Sequence, residues 1–589
     1  MTDATLAIPA LHLPAGLHDA VDGAIERAVR ERWASRLWER DTSLWTDDRG
    51  VGKLISERLG WLDAPASFRD RTEELQAFAL GVRAEGFEGA VVCGMGGSSL
   101  APEVLARSFA LPDGGLRVRV LDSTDPVAVR AAQAAFDPAR ALYLIASKSG
   151  TTTETLSFLA HFWQVEDDLH ADIPASAAGQ HFVAITDPGR PLGAIPHSDL
   201  FRGVFLNPPD VGGRYSALTY VGLVPAALMS LDLGTLLDDA ALMAERCREP
   251  EARNPGLWLG AALAGLARAG RDKLTLVIEP RISSLGAWLE QLVAESTGKR
   301  GVGLIPIDDE PLGNPGVYGQ DRIFVRIGSV EDGAWHASTG AALDELAAAG
   351  HPVIDLALAD GEGVGGEFFR WMFATAICGA GLGINPFDEP NVTESKQNTA
   401  RVLEHYRSGG QLPVDEILVR EPPLTLIGDV LHRLAREATD VPTELRAHIA
   451  RARPAGYIGL HAYIAPTPER DRALAEIRRL LRDRTGRATT LGYGPRFLHS
   501  TGQLHKGGPP AGCFIQLIAD HPDDLPIPGA AETFGTLIDA QALGDFHALE
   551  AHELPVLRVH LSVDPDAGLR ALHDALERAL DEPLDRPAR

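Results

Sequence analysis

Cysteine is scarce in this chain: four among 589 residues, Cys93, Cys247, Cys378 and Cys513. They lie far apart and form no CxxC pair, so neither a disulfide framework nor zinc ligation is expected. Positive charge is also short. Lys and Arg number 55 against 81 Asp and Glu, a formal net charge of -26. Binding a nucleic-acid duplex needs a basic footprint, and no dense Lys/Arg cluster is present. Long apolar runs are missing too; nothing nears the roughly eighteen consecutive residues of a membrane span. The N-terminal stretch MTDATLAIPALHLPAG lacks a basic start before an apolar core, so no secretory signal is expected. These absences predict a cytoplasmic protein with no metal or other cofactor, and neither nucleic acid nor membrane as partner. An anionic ligand would meet a repulsive global field, so its site must be rich in N–H and O–H donors.

The composition, 45% apolar and 23% charged, is that of a globular protein. The length exceeds one ordinary core. Residues 1–80 read as a mostly helical N-terminal segment. Strands then alternate with helices: Gly89 to Cys93, Leu116 to Leu121, Ala141 to Ala146, Phe182 to Ile185 and Val204 to Leu206. That pattern predicts a doubly wound parallel sheet over 81–235. A second such α/β domain is predicted over 236–410, with strands at Leu274 to Ile278, Gly303 to Ile307, Ile323 to Ile327 and Val353 to Leu356. Gly409 to Pro423 is Gly/Pro-rich and reads as a linker. A smaller α/β module is expected over 411–589.

Five motifs carry chemistry. Gly94-Met95-Gly96-Gly97-Ser98-Ser99 follows the first strand; glycines there let backbone N–H groups approach an anion. Ser147-Lys148-Ser149-Gly150-Thr151-Thr152-Thr153-Glu154-Thr155 follows the third. One hydroxyl suffices to cap a helix, and this loop has an excess, which suits a phosphate dianion. Glu154 in it also fits a capping box. The two loops lie at strand ends, where an open α/β sheet places its ligand. Gly212-Gly213-Arg214-Tyr215-Ser216 sets a permanent cation between small residues. Gln291 and Glu295, four apart, share one helix face before Gly298. Asn385 to Lys396 holds the string Phe387-Asp388-Glu389-Pro390-Asn391-Val392-Thr393-Glu394-Ser395-Lys396.

The loop pair resembles the sugar isomerase (SIS) fold, and the ordered set resembles the phosphoglucose isomerase family: GGR[FY]S at Arg214, QxxxESxGK at Gln291 to Lys299, FDQxGVExxK at Phe387 to Lys396. The resemblance implies two tandem SIS-type domains plus the C-terminal module, and an aldose–ketose isomerase acting on glucose 6-phosphate. It implies Glu295 as the base, Arg214 for the enediolate, Gln291 lining the site and Lys396 on the substrate. It implies a phosphate grip by Gly97, Ser98, Ser147, Ser149, Thr152 and Thr155, and a family habit of dimerising. The sequence departs from the last motif at Glu389, Asn391 and Thr393, and Glu389 adds a carboxylate expected near the phosphate end.

The family's ring-opening histidine has no counterpart; Glu367 stands at that place. The loop from Gly494 to Gly508 offers His499 and His505 instead, on the expectation that it folds over the site. An isomerase core with this C-terminal module is similar to the isomerase half of bifunctional transaldolase/phosphoglucose isomerase proteins, without an expectation of transaldolase activity here. The alternatives are a non-catalytic SIS-type sugar-phosphate sensor and an isomerase that also takes mannose 6-phosphate.

Overall fold

The computed structural model of the protein describes residues 10–170, 176–249, 253–329, 333–358, 363–428, 440–582 and 584. The apolar segments Gly89–Gly94, Ala141–Ala146 and Phe182–Thr186 are buried along their whole length, as strands covered on both faces must be. With Arg117–Leu121 and Gly203–Leu206 they form a five-stranded sheet, parallel throughout. Gly89–Gly94 lies between Arg117–Leu121 and Ala141–Ala146. The chain therefore leaves that central strand to one side and returns on the other. The crevice at this reversal lies between the Gly94 and Ser147 loops.

A second sheet runs in the order Ala10–His12, Val353–Leu358, Arg322–Ser329, Lys273–Ile278, Ile305–Ile307. Its strands are parallel except Ala10–His12, which pairs antiparallel at the edge. The N-terminal segment, expected to be mostly helical, thus also supplies a strand. One continuous apolar core joins both sheets, the N-terminal helices and the buried helices Pro255–Arg268 and Val364–Leu382. Among the described residues no helix is long and apolar enough to cross a membrane.

The third sheet has six strands, Glu416–Glu421, Leu424–Gly428, Val556–His560, Gly512–Ile518, Tyr457–Tyr463 and Ala488–Tyr493 in spatial order. The first two make an antiparallel hairpin. The expected linker Gly409 to Pro423 is therefore partly strand, with Pro422 and Pro423 in the turn, where a missing N–H costs no ladder bond.

The third region does not stand apart. Its helix Phe534–Ala551 packs with helix Pro390–Gly409 on the outer face of the first sheet, through Phe534, Leu537, Ala540 and Leu543 beside Val402 and Leu403. Phe534 stacks on Phe158 of the helix Thr153–Leu169 at 6.1 Å between ring centroids. Phe534 is fully buried, so Phe534→Ala should destabilise by about 3–5 kcal/mol, measured by denaturant unfolding. An effect under about 1 kcal/mol would mean that this contact does not anchor the module.

Candidate active site

The Gly-rich turn and the arginine turn are built against each other. A Cβ on Gly97 would stand 2.3 Å from the backbone of Gly213, so only glycine lets the two approach. Arg214 follows in the short turn Gly213–Tyr215 and is buried. Its guanidinium is saturated. Nη1 donates to Glu295 Oε1 at 2.8 Å and Glu389 Oε2 at 3.2 Å, and Nε to Ser296 Oγ at 2.8 Å. Nη2 reaches the carbonyls of Pro386 at 2.8 Å and Asp388 at 3.0 Å.

Glu295 sits near the end of helix Leu285–Thr297 and is buried. Its second oxygen accepts from Gln291 Nε2 at 3.1 Å, as the four-residue spacing predicted. Burial raises the Glu295 pKa; Arg214 opposes that and Glu389 reinforces it. Gly298 caps this helix at φ -74°, not in the left-handed region. Its smallness serves another purpose: a Cβ would lie 2.4 Å from Leu504 Cα. Lys299 then holds the Asn385–Asp388 turn, donating to Asn385 O at 2.8 Å and Asp388 Oδ1 at 2.7 Å. Burial, then the charge of Arg214, lowers Lys299 to about 8.

The hydroxyl loop behaves differently from a capping motif. Thr152 is the N-cap of helix Thr153–Leu169, yet its side chain makes no capping bond. Its hydroxyl instead meets Ser147 Oγ at 2.9 Å. Ser149 is exposed and accepts from Thr151 N at 3.3 Å. Glu154 does not form the capping box. Its Oε1 accepts from His499 Nε2 at 2.9 Å and from Gln541 Nε2 at 2.6 Å. Burial would raise the Glu154 pKa, but His499 and, more weakly, Lys396 outweigh it and hold it low. Thr152, Glu154, Lys396, Arg407, His499 and Gln541 line one cavity of about 320 Å³. Gln291 links it to the base, since the same Nε2 that faces Glu295 donates to His499 O at 2.9 Å. A roomier cleft of about 730 Å³ along Ser108–Pro112 and Ser230–Leu236 holds none of the motif residues.

Three expected site residues lie elsewhere. Glu367 is buried in helix Val364–Leu382 and paired with Arg370 at 3.2 Å, beside Cys247; burial raises its pKa. His505 is a core histidine: its Nδ1 meets the Tyr457 hydroxyl at 2.8 Å and its ring packs on His461 and Phe514. Burial pushes its pKa well down. Thr155 is fully buried, its hydroxyl has no hydrogen-bond partner among the described residues, and it does not line the cavity. Glu389 is also displaced from expectation, standing at Arg214 rather than the phosphate loop. Sequence reasoning missed Gln541 altogether; a lone Gln on an apolar helix gives no signal.

Among the described residues one group has metal-ligand chemistry, Glu166, His170 and His181. The two imidazoles bring Nδ1 to 3.7 and 3.5 Å from Glu166 Oε2. Both Nδ1 atoms, however, hydrogen-bond backbone carbonyls, of Glu166 at 2.8 Å and Ala141 at 2.9 Å. A carbonyl only accepts, so each Nδ1 carries a hydrogen and offers no lone pair to a cation. Burial lifts the Glu166 carboxyl to about 7. The group lies outside the cavity.

A family model described as phosphoglucose isomerase matches residues 65–309. A glucose-6-phosphate isomerase of Rubrobacter xylanophilus is 30% identical over 395 residues, which is 59% of this chain and 90% of that protein. The chain belongs to the phosphoglucose isomerase family. Another relative, a glucose-6-phosphate isomerase of Thermus thermophilus, is 30% identical over 59% of this chain and 90% of its own length. A hypothetical protein of the same species, solved as a crystal structure, superposes with a TM-score of 0.55 at 25% identity. The match covers 68% of this chain and 100% of that one. Lys396, His499 and Gln541 all lie beyond the stretch that the phosphoglucose isomerase family model matches.

Proposed function

We propose that the chain interconverts glucose 6-phosphate and fructose 6-phosphate, with Glu295 as the base that carries the proton between C2 and C1. The observation that carries this reading is the buried Glu295 carboxylate, held by Arg214 on one oxygen and Gln291 on the other. A carboxylate so placed is desolvated, which makes it a stronger base than in water. It takes the C2 proton, the electrons shift to the carbonyl oxygen, and a cis-enediolate forms; the hydroxyl proton on O2 passes to O1, and return of the Glu295 proton to C1 gives the ketose. Arg214 offsets the charge that develops on oxygen. Ser147, Ser149, Thr152 and the Gly97–Ser98 turn supply donors for the phosphate, with Lys396 across the cavity. Holding that non-reacting group orients the reacting carbons.

The sugar ring must open first. His499 fits this step. Its Nε2 faces the low-pKa Glu154, so Nε2 carries the hydrogen and Nδ1 is left to exchange a proton with the sugar oxygen.

The test is a coupled assay of aldose–ketose exchange with glucose 6-phosphate, with mannose 6-phosphate in a parallel arm. Absence of exchange in the wild type overturns the enzyme reading and favours a sugar-phosphate sensor. His499→Ala should lower turnover of the cyclic sugar about 100-fold; an unchanged rate would remove His499 from ring opening.

A further inference from the structure

Glu154 and His499 are 345 residues apart, and neither backbone alone fixes their meeting. We infer that Gln541 is a positioning residue that locks this pair, and that helix Phe534–Ala551 is a working part of the active site. The inference rests on the isomerase reading above and adds a residue to it.

Gln541 is buried, with its amide between two partners. Nε2 donates to Glu154 Oε1 at 2.6 Å, and Oε1 accepts from the Thr124 hydroxyl at 2.7 Å. The assignment of amide N and O follows from chemistry. An ionised carboxylate only accepts, so the amide must turn its NH2 to Glu154. Thr124, itself fully buried at the end of the first sheet, then supplies the matching donor to the amide oxygen. Swapping the amide would set oxygen against oxygen at Glu154. The amide is therefore held in one orientation, and it presents Glu154 Oε1 to His499 in one orientation.

The same helix fixes the other half of the pair. Asp545, one turn after Gln541, accepts from Lys506 at 2.9 Å, and both are fully buried. Lys506 lies in helix Gly502–Gly507, directly after the turn Arg496–His499 that carries the histidine. The helix thus grips Glu154 through Gln541 and the His499 loop through Asp545. Asp545 also meets His461 Nδ1 at 3.2 Å. Phe534 clamps the helix onto the helix that begins at Thr153. The C-terminal region serves the site by holding a proton-transfer pair in register.

The test separates ring opening from isomerisation. Exchange between the α and β anomers of glucose 6-phosphate, read by exchange NMR, reports ring opening; the coupled assay reports isomerisation. Gln541→Leu keeps a buried apolar stem and removes both polar contacts. It should slow anomer exchange about tenfold, with KM changed less than twofold. Glu154 loses a donor to its ionised form, so the acidic limb of the exchange profile should move to higher pH. Thr124→Val leaves the amide in place without its orienting donor and should shift the same limb by less. Gln541→Glu should recover exchange at low pH, where the new carboxyl is protonated and can donate to Glu154. A wild-type rate and pH profile in both Gln541→Leu and Thr124→Val overturns the positioning role. So does a folded Gln541→Leu that loses rate with no movement of the limb, since general loosening would do that. Loss of all exchange in the wild type would instead refute the isomerase reading itself.

Discussion

Glu295→Gln should reduce isomerisation about 10⁴-fold while the protein remains folded and anomer exchange continues. The size follows from removing a positioned general base, the upper end of what such a group contributes. The persistence of the fold follows from Arg214. It keeps Ser296 Oγ, the carbonyls of Pro386 and Asp388, and Glu389 as acceptors. The amide does not fit without cost. In the native site both oxygens of residue 295 accept, one from Arg214 and one from Gln291. A glutamine has one acceptor, so its NH2 must face one of these two donors. Gln291 is also committed to His499 O, which limits its freedom to turn. A stability loss of about 1–3 kcal/mol is expected from that mismatch. The Glu295 carboxylate touches neither the His499 ring nor Glu154, and reaches His499 only at its backbone carbonyl through Gln291, so ring opening should survive. The paired readings are the coupled assay and anomer exchange NMR. Full isomerase activity in the variant would remove Glu295 from the base role; loss of both activities with a folded protein would mean that one group performs both steps.

What the sequence reveals here is set by distance along the chain. Gly89–Gly94 and Ala141–Ala146 are apolar runs ended by Gly or Ser, and such strands are legible because burial on both faces leaves an unbroken apolar stretch. Gln291 and Glu295 are legible as a pair because helix geometry alone puts them together. Arg214 beside Glu295 is not a local fact; its role was read from resemblance, and the contact crosses 81 residues. Gln541 and Glu154 are separated by 387 residues, and no periodicity encodes that meeting.

The misplaced residues share a cause. Order along the chain points to Glu367, but Val364–Leu382 is a buried helix and pairs it with Arg370 in the core. His505 and His499 lie in one Gly-bounded loop, and the sequence does not distinguish them. The loop contains a helical turn, so the two imidazoles diverge, one to the cavity and one to Tyr457. The hairpin Glu416–Glu421 to Leu424–Gly428 was hidden by its prolines, although its strands lie on either side of them. In each case three-dimensional packing, not sequence order or composition, decides the outcome.

Arg214→Met should lower kcat by about 10²–10³-fold, the cost of losing a group aimed at developing negative charge. It should also change how the protein responds to pH. Arg214 is the largest influence that holds the buried Glu295 pKa down, against burial and Glu389. Without it, the Glu295 pKa rises further above the ordinary carboxylate value. A group whose folded pKa exceeds its unfolded one adds stability below the unfolded value and loses it as pH climbs through the folded value. The variant should therefore be closer to wild type in stability at low pH, where protonation of Glu295 is favoured, than at pH 8, where an unpaired buried carboxylate costs about 3–5 kcal/mol. The same rise moves the acidic limb of kcat/KM upward, because the base works only when ionised. Denaturant unfolding at both pH values and a kcat/KM profile check this. An equal stability loss at low pH and at pH 8 would mean that Arg214 is not what keeps Glu295 charged, and that Lys299 or the Gln291 amide supplies the stabilisation instead.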